Sequence, residues 1–183
     1  SGYLKVTAAV EDGPEGPRLR IEEYVKVVFT IDTRSLQLES TQTGWYDQSL
    51  RPIRVESFQN QMGRISESTV EVGETELTVT TKDPTGTRTE KVARPDSLGS
   101  EMMVVRAGMN DEIDEDWTLT FSTFDPFVNH VDTFRASFIG VEEGPDGPLT
   151  HVKIVTEGLN LTSLVWLAED GTLCRQKLPA LMG

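Results

Sequence analysis

The sequence predicts a mostly β domain, built as a curved antiparallel sheet or half-open β-barrel with one packed helix. Three observations predict it. Apolar and polar residues alternate with a period of two through run after run of the chain. Turn-forming residues separate nearly every pair of runs, as in Met62-Gly63, Asp83-Pro84-Thr85-Gly86 and Glu169-Asp170-Gly171. A single stretch, residues 97–109, changes to helical spacing.

The first run sets Leu4, Val6, Ala8 and Val10 against Tyr3, Lys5 and Thr7. In the second, Leu19, Ile21, Val25, Val27, Phe29 and Ile31 share one face, interrupted by Glu23. This run is longer than an ordinary strand, so a bend or bulge is expected partway along it. Further strands are predicted at 35–43, 53–61, 64–72, 75–82, 87–93, 117–123, 131–141, 151–157, 161–168 and 172–178. Neighbours joined by such short turns run antiparallel. Between the seventh and eighth, Leu98, Met102, Val105 and Met109 fall along one face of a helix of about three turns, with Asp96 or Ser97 available as N-cap. Its methionines, Met102, Met103 and Met109, read as core filler between helix and sheet, or as an adaptable lining for an apolar ligand.

Composition narrows the function classes. A chain of 183 residues is long enough to bury a core without disulfides, and its one cysteine, Cys174, cannot form an internal one. Thirty acidic residues against 17 basic ones give a net charge of −13, which opposes nucleic acid and anionic membrane surfaces. No apolar run reaches the length of a membrane-spanning helix. The chain opens abruptly on a strand at Ser1-Gly2-Tyr3, which reads as a piece of a longer protein.

Reaction chemistry is thinly supplied. His130, His151 and Cys174 lie on separate predicted strands or strand edges, and nothing in their spacing brings them together. Cys174, in Thr-Leu-Cys-Arg, reads as a small apolar filler, and the histidines as partly exposed strand residues. The acidic run 110–116 lacks the ligand spacing and central glycine of a calcium loop and reads as a solvated connection. Asn160-Leu161-Thr162 fits a glycosylation sequon at a strand start. Two loops, 10–17 and 141–148, nearly repeat each other and read as stiff hairpin connections. Of the adjacent Trp45 and Tyr46, one is expected in the core because neighbours in a strand face opposite ways. No catalytic, cofactor-binding or metal-ligating residue is assigned.

The order of several short phrases carries a resemblance. Gly2-Tyr3 lies in an opening strand, Glu22-Glu23-Tyr24 in a long second one, and Asp47-Gln48-Ser49-Leu50-Arg51-Pro52 before another. A helix near 98–109, Phe124-Asp125-Pro126 and Trp166-Leu167-Ala168-Glu169-Asp170-Gly171 complete the series. Across nearly the whole chain this resembles the β-rich N-terminal region of bacterial transglutaminase-like proteins. The resemblance implies a non-catalytic accessory or binding domain of an exported bacterial protein, in the periplasm, cell envelope or outside the cell. A catalytic domain would follow Gly183, so Cys174 does not correspond to that family's nucleophile. The outline is also similar to periplasmic half-barrels of the lipoprotein-carrier type. That second resemblance implies a stand-alone carrier or sensor of a hydrophobic, lipid-like ligand.

Overall fold

The computed structural model describes residues 2–14, 16–31, 34–158 and 161–177. The chain divides into two compact units, Ser1–Asp96 with Asp125–His130, and Ser97–Phe124 with Val131–Gly183.

The first unit contains a seven-stranded antiparallel meander: β1 (Gly2–Gly13), β2 (Gly16–Ile31), β3 (Arg34–Tyr46), β4 (Pro52–Gln61), β5 (Arg64–Val72), β6 (Glu76–Asp83) and β7 (Gly86–Ala93). Each strand pairs with the next in the chain, the arrangement that short turns enforce. Of the bend or bulge expected within β2, the bulge is not there. The register of β2 runs unbroken against both β1 and β3, because those neighbours are themselves 12 and 13 residues long and share its length. A register shift falls instead between Trp45 and Tyr46, where β3 meets β4. Gly44 leaves room beside it, since a Cβ there would lie 2.6–2.8 Å from atoms of the Tyr46 ring. Tyr46 is thereby buried, and of the Trp45–Tyr46 pair it is the core residue.

The second unit holds the helix α1 (Met102–Met109) and the strands β8 (Thr118–Asp125), β9 (His130–Gly144), β10 (Gly147–Thr156), β11 (Leu161–Leu167) and β12 (Leu173–Lys177). Its sheet is a second meander, in the order β12-β11-β10-β9-β8. Val104 of the helix packs into a cluster with Phe121, Ala136, Val152, Ile154, Val165 and Leu167. The Phe121 and Phe134 rings stack 5.2 Å apart in the same layer. Burying seven such side chains is the main support of this unit, at about 1.5–3 kcal/mol for each large one.

The helix is shorter than the spacing of residues 97–109 predicts. Leu98 instead makes a parallel bridge to Ser122, with the Gly99 N–H donating to the Ser122 carbonyl and the Ser122 N–H to that of Ser97. The Ser97 hydroxyl meets the Ser122 hydroxyl at 2.8 Å rather than capping the helix, and the N-cap is Glu101, without a side-chain cap. Starting the helix later rotates its buried face onto Val104 and Ala107, with Met103 and Val105 packed beside them. Met103 is core filler, whereas Met109 is 63% exposed.

The two near-repeated loops adopt equivalent positions. Gly13 pairs with Gly16 at the end of the β1–β2 hairpin, and Gly144 with Gly147 at the end of β9–β10. In both, the strands run further into the glycine-proline phrase than alternation alone indicates.

Candidate functional site

Register, which no single strand reveals, organises the first sheet into two unlike faces. On one, Arg20, Trp45, Arg54 and Glu71 stand side by side across β2, β3, β4 and β5. The guanidinium groups of Arg18, Arg20 and Arg54 lie 5.8, 6.0 and 5.7 Å from the Trp45 ring, within cation–π range. These three arginines are each paired with a carboxylate: Arg18 meets Glu11 at 3.4 Å, Arg20 meets Glu22 at 2.5 Å, and Arg54 meets Glu71 at 2.9 Å. Further along it, Tyr24 donates to Glu39, and that hydrogen bond holds its phenol well above the usual range.

The opposite face is apolar in some rows and polar in others. Ala8, Ile21, Gly44, Val55, Val70 and Val79 form a row across β1 to β6. The adjacent row is Val6, Glu23, Gln42, Ser57, Ser68 and Thr81, in continuous register. Ser68 and Thr81 are each 4% exposed, and neither hydroxyl has a hydrogen-bond partner. On the other face of the sheet, Thr80 of β6 and Thr89 of β7 satisfy each other at 3.1 Å, the usual behaviour of facing hydroxyls. Glu23, at the other end of the row, is exposed as a residue, yet burial among its apolar neighbours raises its carboxyl above the ordinary value. Toward the β1 edge the apolar face opens to solvent, with Val6 52% and Val10 76% exposed.

The residues singled out for chemistry are not gathered. His130 begins β9 and is exposed, while His151 lies in β10, where its ring stacks on Trp166 at 4.2 Å. The Trp166 indole N–H donates to Glu142 at 2.8 Å, and Arg175 lies 4.4 Å from the ring. The partly buried His151 leaves its Nε2 without a partner. Burial lowers its pKa, with Arg175 adding to the effect and Glu142 opposing it. Cys174 is exposed and is not the apolar filler its neighbours indicate. Trp166 pairs with Arg175 and Leu167 with Leu173, so Cys174 is the extra residue of a bulge at the sheet edge. It lines an open groove of about 760 Å³ together with Asp146, Glu169 and Asp170.

The acidic run 110–116 is a mostly exposed connection between α1 and β8, in which Ile113 packs against the core. Among the described residues, no group of three or more His, Cys, Asp or Glu is placed to hold a metal ion. Asn160 lies outside the described residues. Among those described, no helix is long and apolar enough to cross a membrane.

No family model matches this sequence, and no curated protein matches it. Solved structures do share its fold. A β-barrel-like protein of the domain of unknown function DUF1849 from Brucella abortus superposes with a TM-score of 0.59 at 9% identity, covering 93% of this chain and 79% of that one. A DUF1089 family protein from Pseudomonas aeruginosa gives a TM-score of 0.54 at 10% identity, covering 98% and 90%. At such identities the likeness is one of fold alone. It agrees with a mostly β, antiparallel, barrel-like class, although among the described residues neither sheet closes on itself.

Proposed function

We propose that this chain is a non-catalytic binding module of an exported bacterial protein, and that the apolar face of its first sheet receives the hydrocarbon part of a small amphipathic ligand. The observation that carries the reading is the exposed end of that face. Val6 and Val10 remain largely in water, and the apolar surface continues from them onto the half-buried Leu19, Val25, Val27 and Leu38. Exposed apolar patches of this kind mark binding surfaces more often than single scattered residues do. The fluorescent apolar dye N-phenyl-1-naphthylamine tests it. Its emission should rise on adding the protein, and the rise should be lost in the double variant Val6→Lys/Val10→Lys. Both positions are on an edge strand, where lysine is tolerated. No rise with the unsubstituted chain overturns the reading.

The order of phrases shared with transglutaminase-like proteins supports a companion reading, in which the module serves a catalytic domain of the same polypeptide. Sequencing the gene beyond the codon for Gly183 tests it. A following domain with Cys, His and Asp in papain-like order is the expected result, and a stop codon would sink it.

A further inference from the structure

We propose that the row Glu23, Gln42, Ser57, Ser68 and Thr81 is the polar half of the ligand site and selects an uncharged hydrogen-bonding group, a hydroxyl or amide, over an ionic one. This deepens the binding reading above and rests on it.

The argument begins with the two buried hydroxyls. A buried polar group without a partner is uncommon and destabilising, and one in a native sheet calls for an explanation. Here two such groups occupy facing positions on β5 and β6, each 96% buried by the complement of its 4% exposure. They share a row with Ser57 and Gln42, so four adjacent strands present side chains that both donate and accept. On one side the row is bordered by Val70 and Val79, where the apolar row begins, and on the other by Ser40, Gln59 and Ser66, so the two buried hydroxyls sit where the polar part of the face meets the apolar part.

The chemistry of the row selects the ligand group. An anion meets the Glu23 carboxyl at one end and no cation until Arg88, the exposed residue opposite Thr81 on β7. A cation could pair with Glu23, but only at the exposed end, and it offers nothing to the hydroxyl protons at Ser68 and Thr81. An ion seated there would also lose its hydration in an apolar surround, which is far more unfavourable than for a neutral group. A hydroxyl or amide can donate to one side chain and accept from the next without either penalty.

The test uses the full chain and three amphiphiles with the same twelve-carbon tail, each below its critical micelle concentration: 1-monododecanoylglycerol, dodecanoate and dodecyltrimethylammonium. Affinities are read by calorimetry at pH 7.5 and moderate salt. Monododecanoylglycerol should bind at least about tenfold tighter than either ion, a difference that one or two hydrogen bonds supply. Ser68→Ala/Thr81→Val should abolish the preference, while Thr81→Ser, which keeps a hydroxyl, should retain it. Without ligand, the double variant should melt about 2–4 °C higher for each unsatisfied hydroxyl whose loss gains about 1 kcal/mol. Equal binding of all three, or an unchanged preference in the double variant, overturns the inference and leaves the binding reading standing. A lower melting temperature in that variant also overturns it, because it means the hydroxyls are already satisfied. Binding of none of the three overturns the binding reading itself, and this inference with it.

Discussion

Two titratable side chains, one in each sheet, are shifted by burial, and their signs differ. Glu23 has a carboxyl pKa raised above 4.5 by burial, so the folded chain favours its neutral form. The folded state then binds the proton more tightly than the unfolded one. The stabilisation is complete below pH 4.5 and is lost as pH rises through the folded value. Glu23→Gln should therefore melt higher than the parent at pH 7 and match it below pH 4.5. Thermal unfolding followed by circular dichroism across that range checks the prediction, and a constant offset at all pH values would rule out the titration. His151 behaves conversely. Burial lowers its pKa below 6.5, so its contribution to stability is present above that pH and is lost as pH falls through the folded value. His151→Phe keeps a flat ring against Trp166 and should remove the fall that sets in as the pH drops below about 6.5. A loss of equal size in the variant would assign the effect to another group.

At the scale of elements, tight turns and small residues decide what may approach what. Gly171, in the turn between β11 and β12, has φ +78°, and a Cβ there would lie 2.3 Å from Cγ and 2.5 Å from the backbone nitrogen of Met109. Left-handed backbone and a clash with another main chain act together, so Gly171→Ala should destabilise by about 2–4 kcal/mol. Chemical denaturation measures this directly, and a change under about 0.5 kcal/mol, the range of an ordinary surface substitution, would contradict the packing described. The strands were legible because alternation is a local signal: every run predicted from Leu4 to Cys174 is a strand, with ends displaced by a few residues. The helix start was not, because Leu98 and Gly99 are committed to Ser122, contacts made 24 and 23 residues away and invisible to helical spacing. The polar row was equally hidden. Glu23, Gln42, Ser57, Ser68 and Thr81 are scattered singly through five strands, and only the pairing register lines them up. The nearest signal in the sequence was the intrusion of Glu23 into an otherwise apolar alternation.

For the whole molecule, the governing quantity is the excess of 13 negative charges. The ion pairs of the described residues cannot offset it. All seven involve side chains at least 31% exposed, such as Lys82 with Glu67 at 66% and 51%. Pairs in that setting contribute about 0–1 kcal/mol each, and salt weakens them. Salt also weakens the repulsion among the remaining carboxylates, which acts between many more partners and over longer distances. Raising sodium chloride from about 0.02 to 0.5 M shortens the screening length from roughly 20 Å to about 4 Å, so the distant repulsion is removed while contact pairs keep part of their attraction. The melting temperature at pH 7 should therefore rise with salt. The rise should shrink as the pH approaches 4.5, where the net charge passes through zero. Melting curves at both pH values and both salt concentrations separate the alternatives. A fall with salt at pH 7 would mean that the arginine–glutamate network around Trp45 dominates the electrostatics of the fold, against the magnitudes argued here.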